Sequence, residues 1–208
     1  MTQSGRSNNQ AFSAAVPAGF DAQAIPIHEV CASQPQVSLD RLHPISLKSR
    51  LQNPPTWQPE ITDENRHVIA ANIIARRQAA GKVTQAAVLI PLLVKEEGLS
   101  VLLTQRTNHL HDHAGQISFP GGRMDPQDMS PHDTALRESE EEIGLRRESV
   151  EIIGNLPQYL TVSGYSVTPV VALVQPQTEY VLDSFEVADV FDVPLQFLMN
   201  SANHQVRV

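Results

Sequence analysis

Residues 115–145 read GQISFPGGRMDPQDMSPHDTALRESEEEIGL, and the fold turns on this run. Its second half predicts a helix over 130–143. Ser130 stands where an N-cap belongs, Pro131 suits the first helical position, and Asp133 approximates the acidic partner of a capping box. Gly144 ends the helix at its C-terminal side. Glu138, Glu141 and Glu142 then fall at i, i+3 and i+4 and share one face. Leu136 and Ile143, seven residues apart, are expected to bury the other side. Upstream, 115–125 predicts a short strand followed by a turn on Gly121-Gly122.

The glutamates admit two readings. A run of them is ordinarily a solvated acidic face. Three carboxylates on one face also suit a hard cation such as Mg²⁺, which takes oxygen ligands and substrate phosphates. Gly121-Gly122, next to Pro120, lets backbone approach a ligand closely. Arg137 directly precedes Glu138 and can orient it or a neighbour by a charge-assisted hydrogen bond.

Outward from this run the pattern alternates between strand and helix. Residues 86–94, AAVLIPLLV, form a continuous apolar stretch. The polar turn Lys95-Glu96-Glu97-Gly98 follows, and then a second apolar stretch over 99–104, so a β-hairpin is expected. Pro91 is expected to weaken the first strand or mark a bulge. Further strands are expected near 150–156, 167–174 and 189–193, with a short helix from Pro194. Strands and helices mixed in this way indicate an α+β or layered α/β domain over 84–208. Ahead of it, 41–83 reads as a helical segment. Pro54, Pro55 and Pro59 interrupt its first part. A helix then runs from Thr62 or Asp63 to about Ala79 or Ala80, with Val68, Ile69 and Ile73 on one stripe and Trp57 as a packing residue. Residues 1–40 are rich in Ser, Gln, Asn, Ala and Pro and read as a disordered extension without an anchor.

The 208-residue chain is 41% hydrophobic and 18% charged, an ordinary globular balance. Its net charge of −8 argues against non-specific binding to nucleic acid or to an anionic membrane. Small anionic substrates remain compatible, because a bound divalent cation inverts the local field. The single cysteine, Cys31, has no internal partner and no neighbouring base, so a reducing compartment is expected and a reactive thiol is not. With neither a secretory leader nor an apolar run of membrane length, a cytoplasmic protein is expected. His109, His111 and His113 alternate, yet no matching ligand set accompanies them, and incidental loop histidines are the expected reading.

The stretch ending in Arg137-Glu138-Ser139-Glu140-Glu141-Glu142-Ile143-Gly144-Leu145 resembles a Nudix box, G-x5-E-x7-R-E-U-x-E-E-x-G-U, with U aliphatic. It departs from that pattern in three places. Ser139 takes an aliphatic position, Asp128 stands for the first glutamate, and one extra residue precedes Arg137. A second signature lies upstream. LLTQRTNHLHDHAGQISFPGGRMD at 102–125 resembles the L-L-T-x-R-x-x-x-L-x-x-H-x-G-Q-x-x-F-P-G-G-x-x-D pattern of the coenzyme A diphosphatase (CoA pyrophosphatase) branch. The match runs through Arg106, Leu110, His113, Gly115-Gln116 and Phe119-Pro120-Gly121-Gly122 to Asp125.

This resemblance implies a Nudix-type α/β/α sandwich with a mixed sheet. It implies Mg²⁺ or Mn²⁺ held by Glu138, Glu141 and Glu142 together with the Gly121 carbonyl. Arg137, Glu138 and Glu186 are the implied catalytic residues, with the base open between Glu138 and Glu186. A plain surface role for Glu186 also stays open. Arg106, Thr161 and Tyr165 are the implied substrate contacts, and a structural ion pair is the other reading of Arg106. The expected reaction cleaves coenzyme A or a derivative into 4′-phosphopantetheine and adenosine 3′,5′-bisphosphate. The alternatives are a Nudix hydrolase of another nucleotide, such as ADP-ribose or NADH, and a non-catalytic Nudix-like fragment or binding protein. The partner is a small nucleotide, and a homodimer follows from family habit alone. Members of the branch continue beyond a point like Val208 into a strand and a covering helix. If that helix is absent, one sheet face is expected to expose apolar surface, leaving the protein unstable, dimeric or reliant on its N-terminal segment to cover the gap.

Overall fold

The computed structural model describes residues 24–54, 83–110, 114–161 and 164–207. The helix predicted between Thr62 and Ala80 lies outside these residues, as do Trp57, His111 and His113.

The hairpin forms as expected. Strand β2 (Thr84–Lys95) turns into β3 (Gly98–Arg106), and Lys95 pairs with Gly98. β2 is the spine of a mixed sheet. Along one edge it pairs in parallel with β8 (Tyr165–Val174), from Thr84↔Tyr165 to Leu93↔Val174. Along the other edge it takes two antiparallel partners in turn. Residues Ala86–Val88 pair with β5 (Gly121–Arg123), and Leu92–Lys95 pair with β3. β3 also pairs with β4 (Ile117–Ser118) and β9 (Val187–Pro194), while β8 pairs with β6 (Val150–Asn155) and β7 (Tyr159–Leu160).

Pro91 neither breaks β2 nor sits at an edge; it is fully buried within the strand. The geometry explains why it is tolerated. N–H groups alternate sides along a strand, and the Leu89 N–H reaches the Pro120 carbonyl at 2.8 Å. Position 91 faces the same edge, where β5 has ended and the β3 ladder begins only at Leu92. The missing donor thus falls in a gap between two partners.

One helix, α2 (Pro131–Ile143), covers one face of the sheet. Ala135, Ile143 and the following Leu145 pack against Ala87, Leu89, Leu93, Leu102, Val170, Ala172 and Val174. The caps are as the sequence indicates. Ser130 Oγ accepts the Asp133 N–H, and Gly144 adopts the left-handed conformation with φ 64°. Leu136, expected on the buried side, is only half-buried. Thr134, Ala135, Ser139, Glu142 and Ile143 occupy that side instead. Ser139 is accommodated there because its hydroxyl donates to the Ala135 carbonyl at 2.6 Å. Ser130→Ala is expected to cost about 1 kcal/mol, read as a lowered urea midpoint.

The opposite face carries α1 (Pro44–Gln52) and α3 (Leu195–Leu198), whose leucines pack over Leu92, Val101, Ile153 and Val171. This face is therefore partly covered. Between the helices and the sheet lies an apolar cavity of about 560 Å³, bordered by Leu47, Leu51, Ile90, Phe119 and Leu198 among others.

The N-terminal extension does have an anchor. β1 (Ile27–Val30) pairs antiparallel with β10 (Gln205–Arg207), the Cys31 N–H reaches the His204 carbonyl, and Ser201 Oγ donates to the Gln34 carbonyl. No helix among the described residues is long and apolar enough to cross a membrane.

Candidate active site

The Gly-Gly turn and α2 meet face to face. Gly121 has φ 151°, and a Cβ there would sit 2.4 Å from the Ala87 carbonyl oxygen, so only glycine lets β5 approach β2 this closely. The Gly121 N–H donates to Glu142 Oε2 at 3.2 Å. At Gly122 a Cβ would fall 2.6 Å from the Glu138 carboxylate, which therefore lies directly over this backbone. Gly122→Ala is expected to push Glu138 aside without disturbing the sheet, because the displaced group is the far end of a side chain. If Glu138 acts in the reaction, the turnover loss is about 100-fold while the thermal midpoint stays within a few degrees of wild type.

The carboxylates are in three different situations. Glu142 is buried, and burial pushes its carboxyl up to about 8; the Gly121 N–H opposes this, and the charges of Glu138 and Glu186 add to it. Glu138 is also raised, chiefly by burial, against the pull of Arg137. Glu141 is turned outward, its side chain 61% exposed, and pairs with Arg137 Nη1 at 2.9 Å. Glu186, in the turn before β9, acts electrostatically on both Glu138 and Glu142, so the fold brings this remote residue to the cluster. Among the described residues no three His, Cys, Asp or Glu side chains are grouped as they stand to hold a metal ion, in keeping with the outward turn of Glu141.

Arg137 organises this group. Its Nε and Nη2 donate to the two oxygens of Asp128 at 3.0 and 2.9 Å, and its Nη2 also reaches the Arg123 carbonyl. Nη1 lies 3.1 Å from Glu138. Asp128 is partly buried, its side chain 5% exposed, and additionally accepts from the Asp125 N–H and Thr134 Oγ1. The Arg137 bond holds its carboxyl well below the usual carboxylate range. In the sequence Asp128 reads only as a departure from a motif. In the fold it is the residue that fixes Arg137.

Arg106 ends β3, and its charge favours ionised Glu142. Its Nε is buried without a hydrogen-bond partner, a donor left over for something else. Thr161 and Tyr165 are tied to each other at the start of β8: the Tyr165 N–H donates to Thr161 Oγ1 and the Thr161 N–H to the Tyr165 carbonyl. Tyr165 pairs with Thr84 across the β2–β8 ladder; a separate cavity of about 490 Å³, bordered by neither Thr161 nor Tyr165, opens between the start of β2 and residues 123–128. His109 contacts Phe185 edge to face, with ring centroids 4.9 Å apart.

A mixed sheet with a glutamate-bearing helix packed against a Gly-Gly turn defines a class, and the comparisons name it. Residues 83–201 match the NUDIX domain, and the chain belongs to that family. Among curated relatives, the uncharacterized Nudix hydrolase NudL of Escherichia coli strain K12 is 50% identical over 111 residues, as is that of Escherichia fergusonii. The match spans 53% of this chain and 57% of the relative, so it covers little more than half of either protein. Among solved structures, the Nudix hydrolase RenU of M. smegmatis aligns with a TM-score of 0.48 at 23% identity, over 55% of this chain and 73% of that one. The NUDIX domain of Shewanella oneidensis NrtR, complexed with ADP ribose, aligns at 0.47 and 24%, over 62% and 84%.

Proposed function

We propose that the chain is a divalent-cation-dependent hydrolase that uses Mg²⁺ or Mn²⁺ to cleave the diphosphate bond of coenzyme A or a derivative. The products are 4′-phosphopantetheine and adenosine 3′,5′-bisphosphate. The observation that carries the reading is the buried Glu142 beside the half-buried Glu138, with the charge of Glu186 added. Buried like charges are costly unless a cation joins them, and the donor set is all oxygen, which suits a hard cation. Glu138 and Glu142 would hold it from within, with Glu141 and the Gly121 carbonyl contributing from the rim. When bound, the cation supplies neutralisation of the diphosphate and acidifies a water.

The chain's own residues do the rest. Arg137, locked by Asp128, keeps Glu138 in place. The free Nε–H of Arg106 is a donor for a substrate phosphate. Glu138 or Glu186 accepts the proton of the attacking water, and the pH profiles of Glu138→Gln and Glu186→Gln separate the two. Thr161 and Tyr165 line the substrate side at the start of β8. The coenzyme A class rests on the signature at 102–125, which contributes Arg106 and the Gly-Gly turn.

Mass-spectrometric product analysis tests the reading. The purified chain is incubated with coenzyme A, ADP-ribose or NADH, with Mg²⁺ or Mn²⁺ and with EDTA. Metal-dependent 4′-phosphopantetheine and adenosine 3′,5′-bisphosphate, lost in Glu142→Gln, support it. Cleavage of ADP-ribose or NADH alone moves the substrate to another nucleotide. Folded protein that cleaves none of the three overturns the enzymatic reading.

A further inference from the structure

We propose that Phe185, with His109 as its side wall, is the platform on which the nucleobase of the substrate stacks. This deepens the reading of the site as a hydrolase of nucleotide diphosphates and rests on it. Phe185 is 63% exposed although it adjoins the acidic cluster through Glu186.

The backbone behind the ring is held at several points. The Phe185 N–H donates to Asp183 Oδ1 at 2.9 Å, and Thr107 Oγ1 donates to the Phe185 carbonyl at 2.7 Å. The Thr107 N–H donates to the Glu186 carbonyl at 2.9 Å, and the Glu186 N–H to the Asp183 carbonyl at 3.0 Å. The ring is thus presented to solvent by a fixed turn. Against it stands His109, inclined by 62°. Two rings at this angle make a corner. A flat heteroaromatic lying on Phe185 presents its polar edge to His109, and the imidazole can donate to it or accept from it.

The corner also lies where a nucleotide needs it. Thr107 follows Arg106, and Arg106 pairs with Val187 across the β3–β9 ladder. One turn therefore gathers the exposed ring, the arginine with an unpartnered Nε–H and Glu186. A base on the ring directs its phosphates toward Arg106 and the carboxylates. Stacking suits a base better than an aliphatic group, because the ring offers an open π-face rather than an enclosing pocket.

The test reads binding without turnover. Ligand-observed saturation-transfer NMR is recorded with 5′-AMP and with ribose 5-phosphate, each with Mg²⁺, on the full chain and on its Phe185→Ala, Phe185→Tyr and His109→Ala variants. Saturation is expected at the adenine protons of AMP with the wild type. Phe185→Ala is expected to weaken AMP binding about tenfold, within the range for losing one base–aromatic stack. Phe185→Tyr should retain binding, His109→Ala should weaken it by a smaller factor, and ribose 5-phosphate should bind all four chains alike. Phe185 is exposed, so its replacement leaves the core untouched, and a thermal melt of each variant checks folding. Equal AMP binding by wild type and Phe185→Ala, or AMP bound no better than ribose 5-phosphate, overturns the platform. Hydrolysis is scored separately. Base-dependent binding without any hydrolysis leaves the platform standing and removes the enzymatic reading. Hydrolysis with a KM unchanged in Phe185→Ala does the reverse.

Discussion

Glu142→Gln is expected to abolish metal-dependent turnover, a loss of at least about 100-fold, while making the metal-free protein more stable at alkaline pH. The two effects have one cause. Glu142 is buried against the Gly121 N–H with Glu138 and Glu186 nearby, and its carboxyl is pushed up to about 8 from an ordinary 4.5. The folded state therefore holds this proton more tightly than the unfolded chain does. The resulting stability is complete below pH 4.5 and is lost as pH rises through 8. Above that, the native protein carries a buried charge that glutamine does not have, and glutamine keeps an oxygen for the Gly121 N–H. The gain at pH 9 is about 2–4 kcal/mol, measured by urea unfolding in EDTA. Adding Mg²⁺ should stabilise wild type increasingly as pH rises and should leave Glu142→Gln almost unmoved. A variant that is no more stable than wild type at pH 9, or that still responds to Mg²⁺, would sink the assignment of Glu142 to the cation.

What the sequence disclosed and what it concealed divide by range. The β2–β3 hairpin and the caps of α2 depend on neighbours a few residues apart, so Gly98, Ser130 and Gly144 announce them. Pro91 misleads because its environment is set by where β5 ends and β3 begins, which no local pattern encodes. Leu136 misleads because apolar spacing weighs only side-chain type. Ser139 gains its buried place through a bond to the backbone of its own helix. The anchor between β1 and β10 joins segments about 175 residues apart and has no periodic signature. In the site, the i, i+3, i+4 spacing correctly puts three glutamates on the helix but cannot rank them. Only the packed turn shows that Glu142 and Glu138 face inward while Glu141 faces water. Glu186 stands 44 residues after Glu142, and it is brought to the cluster by the β3–β9 ladder together with the Asp183 N–H, which donates to the Glu142 carbonyl at 2.9 Å. Asp128 was visible as an irregularity, an acid one residue too far from Arg137 for the usual motif.

That irregularity supports the second large effect. Asp128→Ala is expected to destabilise the protein by about 3–5 kcal/mol at pH 7, the range for breaking a buried ion pair by removing one partner. The pair is bidentate, and Asp128 also accepts the Asp125 N–H and Thr134 Oγ1, so its loss removes an acceptor shared by three groups. In Arg137→Met/Asp128→Ala the guanidinium that has lost its bidentate partner is absent, and the double variant should be less destabilised than the sum of the single ones. Because Arg137 holds the folded carboxyl below its ordinary 3.8, this stability is present above that value and drains away as pH falls beneath it. Wild type should therefore lose stability below about pH 4 more steeply than the alanine variant does. Activity follows the same bond. Freed from Asp128, Arg137 keeps Glu138 and Glu141 as partners, at 3.1 and 2.9 Å, and swings onto the carboxylates that the cation requires. Turnover should fall about 10- to 100-fold, with a higher Mg²⁺ concentration needed for half-maximal rate. An alanine variant with an unchanged urea midpoint would show that Asp128 merely accompanies Arg137. One that is destabilised but has the wild-type Mg²⁺ dependence would show that the pair supports the helix and leaves the site alone.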